Sequence, residues 1–245
     1  MNVFLAGTSS RECLFRENMP KPLFVLESFY YMQEWQLRRM NEWEMFLLDS
    51  GAFTYLSGTA TEVNWEEYVL KYAEFINKYN IKYFFELDID NIVGLKEVER
   101  LRKLLEQKTN KKCIPVWHKS RGLKKWEEIC KEYDYVAIGG IVTKEIKQSE
   151  YKFFPKLISI AHKNKCKVHG LGFTRTKELH KYPFDSVDST NWLVASRFGQ
   201  VQYFNGTYMD KIQRPPNTKM KHYKQVDDFV FSEWVKFQKY AKYNL

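Results

Sequence analysis

The stretch Leu47-Leu48-Asp49-Ser50-Gly51-Ala52-Phe53 decides the fold that this sequence predicts. An apolar run that begins at Met45 is typical of a buried strand, and it stops at the carboxylate of Asp49, which a small turn and an aromatic residue follow. Parallel α/β sheets present functional side chains at the carboxyl ends of their strands in this way. Taken alone, the stretch favours a simpler interpretation, a turn in which Asp49 accepts a hydrogen bond from nearby backbone.

The same pattern recurs along residues 1–205, where short apolar segments alternate with amphipathic ones. The alternation indicates βα units around a parallel sheet. Strands are predicted over 3–7, 23–28, 45–49, 82–88, 113–118, 135–140, 167–172 and 184–190. Helices are predicted over 29–44, over 65–79 after an N-cap at Asn64, and over 98–105, 126–133, 151–163 and 177–181. This pattern predicts a (β/α)8 TIM barrel of class α/β, formed as one domain by residues 1–205.

Polar or glycine residues end nearly every predicted strand. In a barrel of this kind the carboxyl ends of the strands meet at one edge, where active residues lie. The candidates at that edge are Asp49, Asp88, His118, Gly139, Gly140, His169, Gly170 and Asp188. Because side chains two positions apart in a strand share a face, Asp90 is a further candidate beside Asp88. Asp185 competes with Asp188, and His169 is better explained as a structural histidine, with a pocket-lining role second.

The charge of the chain points to a polyanionic partner or to a Lys-rich composition, and the two explanations are equally consistent with it. There are 39 basic and 30 acidic residues, which gives a net charge of +9. Residues 206–245 are predicted to form a basic arm with little core and a helix over 226–243 that packs on the barrel. The candidate phosphate contacts are Lys119, Arg121, Lys211, Arg214, Lys219, Lys221 and Lys224.

The cysteines indicate a reducing compartment. The four residues are widely spread and none forms a Cys-x-x-Cys pair, so reduced thiols of a cytoplasmic protein are expected. The N-terminus lacks the basic region of a signal peptide. No segment approaches the roughly 20 apolar residues that a membrane span needs, so no membrane association is expected.

Six motifs, in order, resemble those of tRNA-guanine transglycosylases, most closely the archaeosine-type branch. They cover about residues 45–190 and are Asp49-Ser50-Gly51-Ala52-Phe53, Leu87-Asp88-Ile89, Pro115-Val116-Trp117-His118, Ala137-Ile138-Gly139-Gly140-Ile141, Gly170-Leu171-Gly172 and Asp185-Ser186-Val187-Asp188-Ser189. Members of this family use a TIM barrel to exchange a guanine base in a polynucleotide for a 7-deazaguanine. Homodimers are common among them, so a homodimer is an expected state.

The resemblance implies a role for several residues. Asp188 is implied as the nucleophile that attacks C1′ and Asp49 as the general acid/base. Phe53 is implied as the aromatic that stacks on the base, and Asp88 as the carboxylate that reads it. Gly139 and Gly140 are implied to close on the edge of the base.

Two departures from the family pattern bear on the substrate. His118 stands where the family usually has Gln, and no cysteine follows Asp188, where the transfer RNA enzymes carry a zinc site of three Cys and one His. In these respects the chain is similar to the short DNA 7-deazaguanine transglycosylase relatives of phages and mobile elements. No metal or other cofactor is expected.

The implied chemistry suits the residue types. A carboxylate can stabilise an oxocarbenium-like state and collapse onto it, while a second carboxylate moves the proton of the base. A base in a duplex must be flipped out and stacked on an aromatic, for which Phe53 and Trp117 are candidates. The six motifs, the basic charge and the missing zinc site make DNA the favoured substrate. The alternatives are tRNA or a free nucleoside or nucleotide with the same chemistry, and a non-catalytic barrel that binds nucleic acid or a modified base.

Overall fold

A computed structural model describes residues 1–52, 54, 63–193, 200–212 and 222–245 of the chain. The strands are β1 Asn2–Ala6, β2 Phe24–Ser28, β3 Met45–Asp49, β4 Val116–Trp117, β5 Tyr135–Ile138, β6 Lys167–Gly170, β7 Ser186–Ser189, β8 Val201–Phe204 and β9 Met209–Ile212. The α-helices are α1 Glu34–Arg39, α2 Trp65–Lys78, α3 Asp90–Val93, α4 Leu95–Thr109, α5 Gly122–Glu132, α6 Phe154–Lys163 and α7 Tyr223–Asn244.

Seven strands form one parallel sheet in the order β3-β2-β1-β7-β6-β5-β4, and helices flank it. The α/β class and the parallel sheet expected from the alternating pattern are confirmed. Because all seven strands run the same way, their carboxyl ends share one edge. Side chains at that edge come from strands that are far apart in the sequence.

The two faces of the sheet are both apolar, which explains the nearly continuous apolar runs of the strands. One face packs against the helices through alternate residues such as Val3, Leu5 and Val25. The other face forms a second cluster that includes Phe4, Leu47, Phe85 and Val116. Side chains alternate along a strand, so Asp49 shares its face with Leu47.

The predicted strand 82–88 is not a continuous ladder. Phe84 forms an isolated parallel bridge with Leu48, and Phe85 forms one with Ile114. The carboxylate of Glu86 accepts the backbone N–H of Val116 at 2.8 Å, a donor that a regular ladder would direct to backbone. A side chain therefore replaces the next backbone contact between these segments. The predicted strand 113–118 is likewise shorter than expected, because only Val116–Trp117 form the regular strand β4.

Helix α2 begins as predicted. The side chain of Asn64 accepts a hydrogen bond from the backbone of Glu67 at 3.1 Å, which is an N-cap. The buried face of α2 carries Tyr72, whose hydroxyl donates to the carbonyl of Leu48 at 3.1 Å. The predicted helix 29–44 is broken by extended backbone at Gln33, so that α1 lies between two short 3-10 turns.

The C-terminal region differs from the predicted arm. Strands β8 and β9 form an antiparallel hairpin, and the predicted boundary at 205/206 falls in its turn. Helix α7 packs into the main apolar core through Val230, Phe231 and Trp234. The side chain of Gln238 donates to the carbonyls at the start of the sheet, those of Val3 and Phe24, at 2.7 Å each. No described helix has the length and apolar character needed to cross a membrane.

Candidate active site

The carboxyl ends of the seven parallel strands surround a cavity of about 330 Å³. Seven of the residues singled out in the sequence line it, namely Asp49, Asp88, Asp90, His118, Gly139, Gly140 and Asp188. The parallel topology explains this convergence, because it brings the ends of β3, β4, β5 and β7 to one edge.

Asp188 is held at this edge by two hydrogen bonds to the same oxygen. Its Oδ1 atom accepts the backbone N–H of Gly172 at 2.6 Å and lies 3.2 Å from Nε2 of His169. Its Oδ2 atom has no hydrogen-bond partner among the described residues. The carboxylate is thus fixed through one oxygen, while the other stays available in the cavity. Asp185 instead bonds His162 and the backbone of Val168 at the opposite end of β7, which resolves the competition in favour of Asp188.

His169 does not line the cavity, so the structural role preferred from the sequence is supported and the second interpretation, a pocket-lining role, is corrected. Its ring is fully buried, with Nε2 on Asp188 and Nδ1 2.6 Å from the hydroxyl of Ser186. That hydroxyl in turn contacts the hydroxyl of Tyr135. Burial raises the pKa of Tyr135, which keeps its phenol neutral. His169 therefore orients Asp188 from the side that faces away from the cavity.

Asp49 lies at the end of β3 in a turn that requires glycine. Its Oδ2 atom accepts the backbone N–H of Gly51 at 3.0 Å, as the simpler interpretation of this turn predicts. Gly51 has a φ of +73°, and a Cβ there would lie 2.6 Å from the hydroxyl oxygen of Ser28. Tyr68 secures the turn by donating to the carbonyl of Ser50 at 2.5 Å.

The electrostatics of the cavity make Asp49 a weak acid. Burial raises the pKa of Asp49 to about 6, the hydrogen bond from Gly51 opposes the rise, and the negative charges of Asp88 and Asp188 add to it. A carboxyl with a pKa near 6 can both give and take a proton near neutral pH.

His118 is the cation of the cavity. Its Nε2 lies 2.5 Å from Asp88 and its Nδ1 lies 2.8 Å from Glu145. Burial by itself lowers the pKa of His118, but the contact with Asp88, followed by that with Glu145, outweighs burial and raises the pKa to about 9. The protonated ring therefore donates to both carboxylates, and the backbone of Ser120 donates to Glu145 from the other side at 2.9 Å.

The glycine pair makes room for this histidine. A Cβ on Gly139 would lie 2.9 Å from the imidazole of His118 and 2.8 Å from a methyl of Val116. A Cβ on Gly140, which has a φ of +76°, would lie 2.8 Å from a carboxylate oxygen of Glu145. Glycine is thus required at both positions because His118 and Glu145 closely approach the backbone that follows β5.

Arg121 is not a surface cation, and its prediction as a phosphate contact is wrong. Its side chain is only 1% exposed, and its guanidinium pairs with Glu86 at 2.9 Å and with Asp90. The same ion pair occupies both oxygens of Asp90, although Asp90 lines the cavity. Asp88 is consequently the better placed of the two carboxylates for contact with a ligand.

Other predicted residues lie elsewhere. Gly170 faces away from the cavity, since a Cβ there would lie 3.1 Å from the ring of Phe184. Trp117 is buried against Trp126 and does not line the cavity. Lys119 is exposed and paired with Glu150, and Lys211 and Lys224 are exposed. Phe53, Arg214, Lys219 and Lys221 lie outside the described residues.

Sequence reasoning missed several residues of the cavity, among them Tyr31, Asn91, Thr143 and Thr190. It also missed Glu27, whose buried carboxylate is held by Ser9, Ser28, Gln36 and Thr8. A Glu within an apolar strand was the available signal. The buried hydroxyl of Ser28 lines the cavity and has no partner among the described residues, so it is free to bind a ligand.

The cavity as a whole is acidic. Asp49, Asp88, Asp188 and Glu27 face one buried cation, His118, so the space favours a ligand that is rich in N–H donors or that develops positive charge. In the described parts of the chain, no three His, Cys, Asp or Glu side chains are grouped so that they could hold a metal ion. Comparison with protein-family models and with curated proteins found no match to this chain.

Proposed function

We propose that this protein is a base-exchange glycosyltransferase of the tRNA-guanine transglycosylase type, which replaces guanine in a polynucleotide, most readily DNA, with a 7-deazaguanine. One observation carries the proposal. Asp188 and Asp49 line the same cavity in different environments. One carboxylate oxygen of Asp188 is held by hydrogen bonds and the other is unbonded among the described residues, whereas the pKa of Asp49 is raised to about 6. A nucleophile and a proton carrier need these two different environments.

The proposal includes a closed (β/α)8 barrel. Residues 83–86 supply the eighth strand in this arrangement. Its support is that the backbone of Leu48 exchanges hydrogen bonds with Tyr83 and Phe85, while Phe84 and Glu86 bond to Ile114. The second apolar cluster, which includes Phe85 and Ile114, then fills the interior of the barrel.

The first half of the proposed reaction releases guanine. The free oxygen of Asp188 attacks C1′ of the target nucleotide, a C–O bond forms, and the bond from C1′ to the base nitrogen breaks with its electron pair moving to the base. Neutral Asp49 donates a proton to the departing base. The acidic cavity stabilises the positive charge that develops on the sugar.

The second half reverses these roles. Ionised Asp49 takes the proton from the ring nitrogen of the incoming 7-deazaguanine, which attacks C1′ and displaces Asp188. Two displacements retain the configuration at C1′. The hydrogen bond from His118 holds Asp88 in one orientation, so that Asp88 can accept N–H groups of the base.

DNA is favoured over tRNA because no cysteine follows Asp188 to form the zinc site of the transfer RNA enzymes, and the net charge of +9 suits a polyanion. The alternative substrates, tRNA and a free nucleoside, are tested in the same experiment as DNA. If the barrel only binds a base or nucleic acid, no turnover is expected.

The test is incorporation of labelled guanine, and of labelled 7-deazaguanines, into DNA, bulk tRNA and nucleosides. We expect label in DNA, no label with Asp188→Asn, and nearly full incorporation with Asp185→Asn, which removes a carboxylate at the opposite end of β7. The amount of covalent enzyme–DNA adduct on denaturing gels should be close to that of the wild type for Asp185→Asn, and no adduct should form with Asp188→Asn. Undiminished exchange by a folded Asp188→Asn protein would exclude Asp188 as the nucleophile. A folded protein that labels no substrate would exclude base exchange.

A further inference from the structure

A second hollow of about 310 Å³ lies beside the candidate active site. Its wall includes Arg175, Lys177 and Lys211, together with polar side chains such as Asn191 and Gln202. Arg175 and Lys177 come from the segment after β6, Lys211 from β9, and Asn191 from the segment after β7. Two separate parts of the chain therefore bring cations to one place, and a third adds a neutral amide.

The hollow adjoins the cavity. Thr174 lines the hollow and follows Gly172, which lines the cavity, by two residues. Asn191 lines the hollow and directly follows Thr190 of the cavity. Consecutive Cα atoms are about 3.8 Å apart, so the two walls are at most about 8 Å apart at these points.

The charges of the two spaces are opposite. The cavity holds several carboxylates and one buried cation, whereas the hollow has three cations and one carboxylate, that of Glu178, which pairs with Arg175 at 2.9 Å. Among the described residues neither Lys177 nor Lys211 has a carboxylate within ion-pairing distance. An anionic group is repelled by the cavity and attracted by the hollow.

This division matches the chemistry of a nucleotide in a strand, whose base donates N–H groups and whose phosphates are anionic. We propose that the hollow is a phosphate subsite, which binds a phosphodiester group next to the target nucleotide while its base and sugar occupy the cavity. The inference rests on the proposed function. Arg175 supplies a fork of donors to phosphate oxygens, and Lys177 and Lys211 add point charges.

The experiment compares two triple variants that remove the same charge. The first, the hollow variant, removes all three cations that line the hollow and is Arg175→Gln/Lys177→Gln/Lys211→Gln. The control, Lys108→Gln/Lys131→Gln/Lys163→Gln, removes exposed lysines from the last turns of α4, α5 and α6, which lead to the opposite edge of the sheet. Binding of single-stranded DNA is measured over a series of salt concentrations. Because each phosphate contact on a single strand contributes about 0.7 to the slope of log K against log salt, and the hollow binds one phosphodiester group, the hollow variant should lose about 0.7 from this slope. The control should keep the wild-type slope.

Equal slopes for the two variants would overturn the subsite, as would wild-type protein with no salt-dependent binding to DNA. Lys177→Gln/Lys211→Gln, which breaks no ion pair among the described residues, serves if the triple variant does not fold, and should lose up to about 0.7 from the slope. The readout is independent of turnover. A changed slope without base exchange would support the subsite and reject the proposed chemistry. Exchange on free nucleosides with unchanged slopes would support the proposed chemistry and reject the subsite.

Discussion

The Nε2 atom of His169 lies 3.2 Å from Oδ1 of Asp188, and the imidazole that carries it is fully buried. A carboxylate only accepts hydrogen bonds, so Nε2 carries the proton. Nδ1 lies 2.6 Å from the hydroxyl of Ser186, and that hydroxyl contacts the hydroxyl of Tyr135. The donor that orients Asp188 is therefore fixed by a chain of buried hydrogen bonds.

Replacing His169 should slow the proposed reaction more than it weakens substrate binding. We expect His169→Leu, which keeps an apolar volume but no donor, to lower kcat by about 10- to 100-fold with a smaller change in KM. His169→Gln restores a donor and should recover part of the loss. A purely structural role would instead lower the melting temperature of both variants and leave kcat of the folded fraction unchanged. Steady-state kinetics beside thermal melts distinguish these outcomes.

The raised pKa of Asp49 gives the first step a defined pH dependence. Because burial raises this pKa to about 6, Asp49 is half protonated near pH 6 and its protonated fraction falls tenfold per unit above that. Release of guanine in a single turnover should fall in the same way between about pH 6 and 8. Asp49→Asn should be slow and lack this dependence. A flat wild-type profile over that range would exclude Asp49 as the acid.

His118 should stabilise the fold in a pH-dependent manner. Its pKa is raised from the usual 6.5 to about 9, so its contribution is fully present below pH 6.5 and is lost as the pH rises through 9. The difference in unfolding free energy between wild type and His118→Gln should therefore shrink, by on the order of 3 kcal/mol, over that interval. Urea unfolding at a series of pH values measures it. NMR titration should also show a lower pKa for His118 in Asp88→Asn, and an unchanged pKa would contradict the proposed pairing.

Gly140 and Gly122 allow a matched test of the glycine pair, since both have a φ of +76°. An alanine at such a positive φ costs about 1–3 kcal/mol. Gly122→Ala should cost only that, because nothing lies within 4 Å of the added Cβ. Gly140→Ala should cost about 1–3 kcal/mol more, since its Cβ displaces Glu145 from His118. Denaturant melts give both values, and equal losses would show that Glu145 moves aside freely.

Much of the fold could be predicted because its signals are local. Apolar runs of strand length gave the parallel sheet, and the caps and periodicity gave α2 and α7 closely. The hairpin of β8 and β9 was missed since its residues are half-buried or exposed and lack a strong alternating pattern. The ladder at 82–88 was overestimated because the contact that interrupts it, Glu86 to Val116, joins residues 30 positions apart.

By itself the sequence determined the parallel order of the extended segments, and this places Asp49, Asp88 and Asp188 around one cavity. The tertiary structure alone decided what each can do. It buried Arg121 against Asp90, turned His169 behind Asp188, and set the pKa of Asp49. The physical reason is that strand ends follow from local backbone preference, whereas burial, charge and hydrogen bonding depend on neighbours that only the folded chain brings together.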